Sequence, residues 1–477
     1  MNRPIVRLYG LVVVLFGVLL AFTSRWTVFE ASSLRANALN KRGLLQQQRI
    51  DRGAILAANG SVLARSVRGP EGTFTRSYPT GALFTDAVGY SYIERGQVGL
   101  ERYRSPALNG QMGTSVQSIL DQLQGRKPQG DTVITTLVPS AQRTATAALG
   151  EHEGAVVALD PRTGAVEVMA STPSYNANAA ASQSAFERIT HEPGSPLVNR
   201  ALEFGYAPGS TFKVVTAVAA IDSGLLTPES IVDGRNDVPI SGLLLKNDNN
   251  ESLGPITLTE GLVKSVNTVY AQVAERLGKQ TMARYMRRFG FDRKPQLDYP
   301  AEEMSSSGEY LGERLLSPTS TYVDVGRMGI GQDKLRVTPL QMAEVAATVA
   351  NRGTLMVPHL TSAIADPDGR VIERIASKAQ SVVMKPSTAA AVTKMMEAVV
   401  NEGTGTSAQI PGVQVAGKTG TAETQIGAAI NNVWFIAFAP AQNPTVAVAV
   451  TLKAVPGQGA SFAAPVAKQV MEVLLHG

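Results

Sequence analysis

The sequence contains no cysteine, so disulfides and thiolate chemistry are both excluded. Histidine is scarce. His152, His191, His359 and His476 are scattered without metal-ligand spacing, and a Ser-His-Asp triad would have to be drawn from these four. Charge of one sign is not concentrated either: 44 Lys and Arg against 39 Asp and Glu leave a net charge of +5 with no dense basic block. That balance suits solubility and affinity for an anionic cell surface, and does not indicate nucleic-acid binding. Internal repeats and low-complexity tracts are also missing. What the 477 residues do supply is a 44% apolar content, enough for more than one domain with full-sized cores.

In chain order, residues 8–22 carry no charge, and Ile5 to Trp26 could extend the run with Arg7 snorkelling. A cleavable signal peptide would look similar, but Ala21-Phe-Thr-Ser-Arg25 offers no small-x-small cleavage site and Trp26 suits an interfacial anchor. Residues 1–26 are therefore expected to be a cytoplasmic stub and an uncleaved single span. Arg3 and Arg7 before it and Arg25 after it leave the orientation undecided by charge.

Residues 27–150 read as a modest α+β platform without visible chemistry. It opens with a helical stretch to about Gln48, followed by a strand, an Asn59-Gly60 hairpin turn and a second strand. From 151 to 477 the pattern tightens. Strand runs at 155–159 and 166–170 flank the turn Asp160-Pro-Arg-Thr-Gly164. Further strands are expected at 413–421, 432–439 and 445–452, with a closing helix at 463–475. The interval 207–360 reads as largely helical. Early and late strands bracketing helices predict one antiparallel sheet with helices on its faces and an inserted helical lobe.

The chemistry is expected at Ala207-Pro-Gly-Ser210-Thr-Phe-Lys213, which opens an apolar helical run. Ser210 would occupy a first helical turn, where free N–H groups favour developing negative charge. Lys213 falls on the same face, and desolvation lowers an ammonium pKa, so a neutral amine could take the hydroxyl proton. A serine opening a helix is more often only a cap. Two further motifs argue otherwise: Ser265-Val266-Asn267, and Lys418-Thr419-Gly420-Thr421 on a strand-like segment. The decoys Ser174-Tyr-Asn176 and Arg162-Thr-Gly164 precede Ser210 and break the order.

With these motifs in this order, the whole chain resembles a class B penicillin-binding protein, a monofunctional D,D-transpeptidase of peptidoglycan synthesis. The likeness extends to Arg52-Gly53, Gly99-Leu-Glu101, the segment from Gly154 to Pro161, Gly329-Ile-Gly-Gln332, the segment from Val337 to Ala343, and Gly403-Thr-Gly405. The short pedestal is most similar to the PbpA-type members of actinobacteria. No glycosyltransferase domain fits before residue 150, which argues against the bifunctional class.

The resemblance implies a penicillin-binding, serine β-lactamase-like fold with a five-stranded antiparallel sheet, behind a pedestal or dimerisation-type domain. It implies Ser210 as nucleophile on the penultimate D-Ala carbonyl, Lys213 as base, and Ser265 as proton relay to the leaving D-Ala. Asn267 would bind the substrate peptide, and Lys418 with Thr419 its terminal carboxylate. Gly420 would let the substrate backbone approach, and the N–H groups of Ser210 and Thr421 would form the oxyanion hole. Val266 stands where some members carry aspartate.

No cofactor or metal is implied. The implied partners are stem peptides ending in D-Ala-D-Ala, β-lactams that acylate Ser210, and a membrane SEDS-type glycosyltransferase. The catalytic domain would lie outside the cell membrane. A D,D-carboxypeptidase, a β-lactamase, a β-lactam sensor and an inactive scaffold are the competing readings of the same residues.

Overall fold

The computed structural model describes residues 2–25, 49–111, 129–423 and 430–476. Trp26 and the helical stretch expected up to Gln48 lie outside the described residues. Near the N-terminus, Pro4–Ser24 is the one helix among the described residues that is long and apolar enough to cross a membrane.

The Asn59-Gly60 signal makes the expected hairpin. Ile55–Leu56 pairs antiparallel with Val62–Arg68, and Gly60 takes the left-handed φ of +82° that such a turn needs. Phe74–Ser77 extends this sheet on one side and Thr132–Thr135 on the other. Its two remaining strands, Thr361–Ala365 and Val371–Arg374, come from far beyond residue 150, so the pedestal sheet of six is completed by the second half of the chain.

The two pedestal segments that carried the family likeness meet here. Glu101, fully buried, receives Arg52 Nε at 2.8 Å, Arg76 Nε at 2.5 Å and the Tyr78 hydroxyl at 3.2 Å. Burial alone would raise the Glu101 pKa, but Arg76 and Arg52 together hold it below the usual carboxylate value. Asp298 ties this platform to the rest. It accepts from the backbone N–H groups of Leu360 (2.6 Å) and Thr361 (3.0 Å) and from Arg104 Nη2 (2.8 Å).

Helix α1 (Pro139–Leu149), just before the boundary expected at residue 150, packs on the sheet that follows it. That sheet is built from β1 (Gly154–Leu159), β2 (Val166–Thr172), β3 (Ala416–Glu423), β4 (Asn431–Ala439) and β5 (Val446–Val455). The spatial order is β3-β4-β5-β1-β2, antiparallel throughout, with β3 at an edge. The three inner strands, β4, β5 and β1, read as nearly unbroken apolar runs because both faces are covered. Val156, Ala158, Val433 and Phe435 face α1 and the closing helix, while Ala155, Val157, Trp434 and Ile436 belong to the core on the other face.

That second core contains the helices α2 (Lys213–Asp222), α3 (Leu258–Val263), α4 (Asn267–Arg288), α5 (Pro339–Ala350) and α6 (Pro386–Glu402). All 12 residues of α5 are buried. Helix α7 (Ala463–His476) closes the first face. The interval expected to be largely helical also carries short hairpins, among them Val238–Ile240 with Leu243–Leu245 and Gly308–Leu311 with Arg314–Leu316. Strands of three or four residues are too short for a period of two to stand out in the sequence.

Candidate active site

Ser210 sits in a 3-10 turn, Gly209–Phe212, and the α-helix begins only at Lys213. The turn is tighter than the expected α-helical one, as helix starts often are; Thr211 Oγ1 donates to the Pro208 carbonyl within it at 2.8 Å. Ser210 is not a cap. The cap position is Pro208, and among the described residues no hydrogen bond engages the Ser210 hydroxyl, although the residue is only 8% exposed.

Glycines hold this turn against the edge strand. Gly209, at φ +53°, donates its N–H to the Gly331 carbonyl at 2.9 Å. A Cβ on Gly331 would stand 2.0 Å from the Gly209 carbonyl oxygen, and one on Gly209 would stand 2.6 Å from that of Thr421. A Cβ on Gly420 would meet the Pro208 carbonyl oxygen at 2.7 Å, Thr211 Cγ2 at 2.9 Å and Trp434 Cβ at 3.0 Å. The expected reason for Gly420 is thereby corrected: the space beside it is occupied by the turn bearing Ser210. Trp434 Nε1 also donates to the Ala207 carbonyl at 2.9 Å, fixing the start of that turn.

The second motif follows from how α3 ends. A Thr257–Glu260 capping box starts this helix. At its far end Ser265 N–H donates to Leu262 O at 3.1 Å and Val266 N–H to Gly261 O at 2.8 Å. This is a Schellman closure, which puts Ser265 in the left-handed position usually given to glycine, at φ +59°. A residue with a Cβ there costs conformational energy, and such cost concentrates at functional sites. Asn267 then becomes the first residue of α4.

The three motifs converge on Ser265. Lys418 Nζ donates to Ser265 Oγ at 2.9 Å and to the Thr419 carbonyl at 3.0 Å. Lys213 Nζ donates to the Ser265 carbonyl at 2.6 Å and to Asn267 Oδ1 at 2.7 Å, and lies 3.4 Å from Ser265 Oγ. Thr419 Oγ1 shares a 2.6 Å hydrogen bond with Thr404 Oγ1. Thr421 is half-buried, its hydroxyl 3.4 Å from the Gly459 N–H.

Both lysines are fully buried. Desolvation pushes Lys213 down to about 7, against the opposing field of Asp248. Desolvation and then the charge of Lys213 push Lys418 well below the usual lysine value.

Sequence reasoning missed Asn247 and Asp248. Asn267 Nδ2 donates to the Lys246 carbonyl and to Asp248 Oδ1, both at 3.2 Å. They lie in a segment without periodicity, where no pattern marks a functional residue. Thr404 falls within Gly403-Thr-Gly405, a likeness that came without a role. Among the described residues no group of His, Asp and Glu could hold a metal ion. A cleft of about 570 Å³ lined by Asp222, Tyr285, Arg288 and Lys385 lies at the far end of α2 and contains no motif residue.

Residues 154–472 match the family model described as penicillin binding protein transpeptidase domain, and residues 52–133 match the penicillin binding protein A dimerisation domain. The chain is a class B penicillin-binding protein. This penicillin-binding protein is 35% identical over 504 residues to the peptidoglycan D,D-transpeptidase PbpA of Mycobacterium tuberculosis strain H37Rv, with 100% of both chains covered. It is 30% identical to the peptidoglycan D,D-transpeptidase MrdA of Escherichia coli K12, covering 79% of this chain and 68% of that one. Among solved structures it matches the penicillin G acyl-enzyme complex of penicillin-binding protein A from M. tuberculosis. The TM-score is 0.79 at 34% identity, covering 89% of this chain and 99% of that one.

Proposed function

We propose that this class B penicillin-binding protein cross-links peptidoglycan stem peptides as a serine D,D-transpeptidase, with Ser210 forming the acyl-enzyme. The observation that carries the reading is the bridging of two buried lysines by one hydroxyl, Ser265 Oγ, with one of those lysines, Lys213, following directly on the turn that bears the unbonded hydroxyl of Ser210. A neutral Lys213 amine has two N–H bonds and one lone pair. Its two short hydrogen bonds, to Ser265 O and Asn267 Oδ1, use both N–H groups and leave the lone pair free.

In this mechanism Ser210 Oγ attacks the penultimate D-Ala carbonyl and its proton passes to Lys213. The N–H groups of Ser210 and Thr421 stabilise the resulting oxyanion, a role supported by the close seating of the turn on β3. Collapse breaks the peptide bond. Ser265 gives its proton to the departing D-Ala amine and regains one from the Lys213 ammonium. Lys418 and the Thr419 hydroxyl hold the substrate's terminal carboxylate, and Asn267 its peptide group. An acceptor amine then attacks the acyl-enzyme and forms the cross-link. β-Lactams enter at the first step and stop there.

Labelling with a fluorescent penicillin followed by peptide mapping tests the assignment. Adduct confined to Ser210, and lost in Ser210→Ala, is the expected result. Adduct on another serine, or undiminished labelling of that variant, overturns it.

The same proposal extends to placement. The apolar helix Pro4–Ser24 anchors the chain, the catalytic domain lies outside the membrane, and the pedestal docks a SEDS-type glycosyltransferase. Supporting this is a pedestal whose described residues are folded around their own buried Arg52–Glu101–Arg76 network and contribute none of the groups of the site described above. Docking there would hold Ser210 near nascent strands and raise the effective concentration of both reactants. Cross-linking lost in cells, with penicillin acylation retained, is the expected phenotype of a variant that breaks the docking face. Full growth of a strain whose pedestal has been replaced by an unrelated folded spacer would refute it.

A further inference from the structure

The loop Lys246-Asn247-Asp248 lies outside all three motifs, yet it reaches the centre of the site. Its middle residue makes the loop rigid. Asn247 is buried; its Nδ2 donates to the carbonyls of Gly234 (3.1 Å) and Glu251 (3.0 Å), and its N–H donates to Asn236 Oδ1 (2.8 Å). Asn247 Oδ1 accepts from the Thr268 N–H (3.0 Å) and hydroxyl (3.1 Å), in the first turn of α4. The loop is thereby fixed to the helix that begins with Asn267. Buried polar networks satisfied on every atom in this way specify one conformation.

On either side of Asn247, the Lys246 carbonyl and the Asp248 carboxylate take the two amide protons of Asn267. An amide has two donors on nitrogen and an acceptor only on oxygen. With both donors held by the loop, the oxygen is the end left to face Lys213, at 2.7 Å. The reversed amide would lose all three hydrogen bonds, turning its N–H groups toward the N–H groups of the lysine and its oxygen toward the Lys246 carbonyl and the Asp248 carboxylate.

We propose that Asp248 is a positioning residue for Lys213, acting through the Asn267 amide. Asp248 is exposed, and its side chain meets the site through Asn267, with no hydrogen bond to Ser210, Lys213, Ser265 or Lys418. It sets which end of Asn267 meets the base, and so where the lone pair of Lys213 points. The charged groups around this amide are Lys213 on α2, Lys418 on β3 and Asp248 on the loop, with the exposed Lys246 beside it in the chain. Asp248 favours the charged form of both buried lysines. It therefore has two separable effects: its hydrogen bond orients the amide, and its charge raises the pH at which Lys213 becomes a base.

The inference rests on the reading of Lys213 as the base, and the test separates the two. Penicillin G acylation rates of the full-length protein are measured from pH 5 to 9 for wild type, Asp248→Ala, Asp248→Asn and Lys213→Arg. Asp248→Ala should lower the plateau rate about tenfold, the effect of one lost hydrogen bond to an aligned group. Asp248→Asn keeps an acceptor for Asn267 Nδ2 and should restore most of the plateau. Both variants lack the negative charge, so both should move the rising limb of the profile to lower pH. An Asp248→Ala plateau within about twofold of wild type, or equal loss in the Ala and Asn variants, overturns the positioning role, and a rising limb that stays in place overturns the charge effect. Wild-type acylation by Lys213→Arg would instead remove the base assignment itself.

Discussion

Lys213 and Ser265 each occupy a state their residue type disfavours, and each is kept there by its neighbours. Lys213 is a fully buried amine whose pKa falls to about 7, because desolvation outweighs the opposing field of Asp248. The acylation rate should therefore rise with pH through a midpoint near 7, measured as penicillin adduct formed against time. Lys213→Arg should lose acylation almost completely, since a guanidinium keeps its proton at any accessible pH. An arginine variant reacting near the wild-type rate would place the base elsewhere. Ser265 bears a side chain in a left-handed conformation, so backbone ease and the hydroxyl pull in opposite directions at this position. Ser265→Gly should raise the melting temperature slightly or leave it unchanged, while acylation falls by about a hundredfold or more, the scale of a lost proton-transfer group. A variant that both melts and acylates as wild type would remove Ser265 from the proton path.

At the scale of elements, the site depends on how closely the Ser210 turn lies on β3. The approach is possible because Gly209 and Gly420 present no side chains where the two segments touch, and Gly331 presents none where it backs Gly209. Gly420→Ala places a methyl group 2.7 Å from the Pro208 carbonyl oxygen, a backbone atom that cannot rotate away. The expected outcome is a loss of about 1–3 kcal/mol of stability as the turn is pushed off the strand. Acylation should fall with it, because moving Ser210 relative to Thr421 opens the proposed oxyanion site. Thermal melting and penicillin labelling check the two effects separately. Unchanged labelling in a destabilised variant would mean that the oxyanion is held elsewhere.

Over the whole molecule, two sets of buried charge shape stability in opposite ways. Glu101 is paired with Arg52 and Arg76, and cutting a buried pair by Glu101→Gln leaves two guanidinium groups short of a counter-charge. A loss of about 3–5 kcal/mol is expected, with no change in the acylation rate of the folded fraction. Asp86, Glu309 and Glu344 instead lack such partners, and burial raises each to about 8. The folded chain then binds more protons than the unfolded one between the ordinary carboxylate range and pH 8. That contribution is complete at acidic pH and is lost as pH rises toward 8. Lys213, lowered to about 7, and Lys418, pushed well below the usual lysine value, work in the other direction above their folded-state values, where stability recovers toward the ordinary lysine pKa. Melting temperature should therefore decline from pH 5 to 7, and Glu344→Gln, neutral at every pH, should make the decline shallower. A slope unaltered by that substitution would show that Glu344 is ionised in the folded protein.

The sequence by itself determined the parts that depend on local pattern. The apolar N-terminal run, the Asn59-Gly60 hairpin, the apolar strand runs of the catalytic sheet, and the ordered Ser210, Ser265 and Lys418 motifs are all short-range properties. Side-chain period, turn chemistry and motif spacing express them directly. Tertiary structure alone decided which distant segments share one object. Strands from residues 361–374 complete a sheet begun at residue 55, because a strand pairs with any exposed edge of matching register and its sequence does not name its partner. The same holds in the site. Gly420 was legible as a glycine on a strand, but the backbone that presses on it belongs to Pro208 and Thr211. Asn247 and Asp248 carry no periodic or motif signal, and they matter only because folding brings their loop against the first turn of α4. A residue whose role is to orient another is defined by contacts across the chain, and such contacts exist only once the chain has packed.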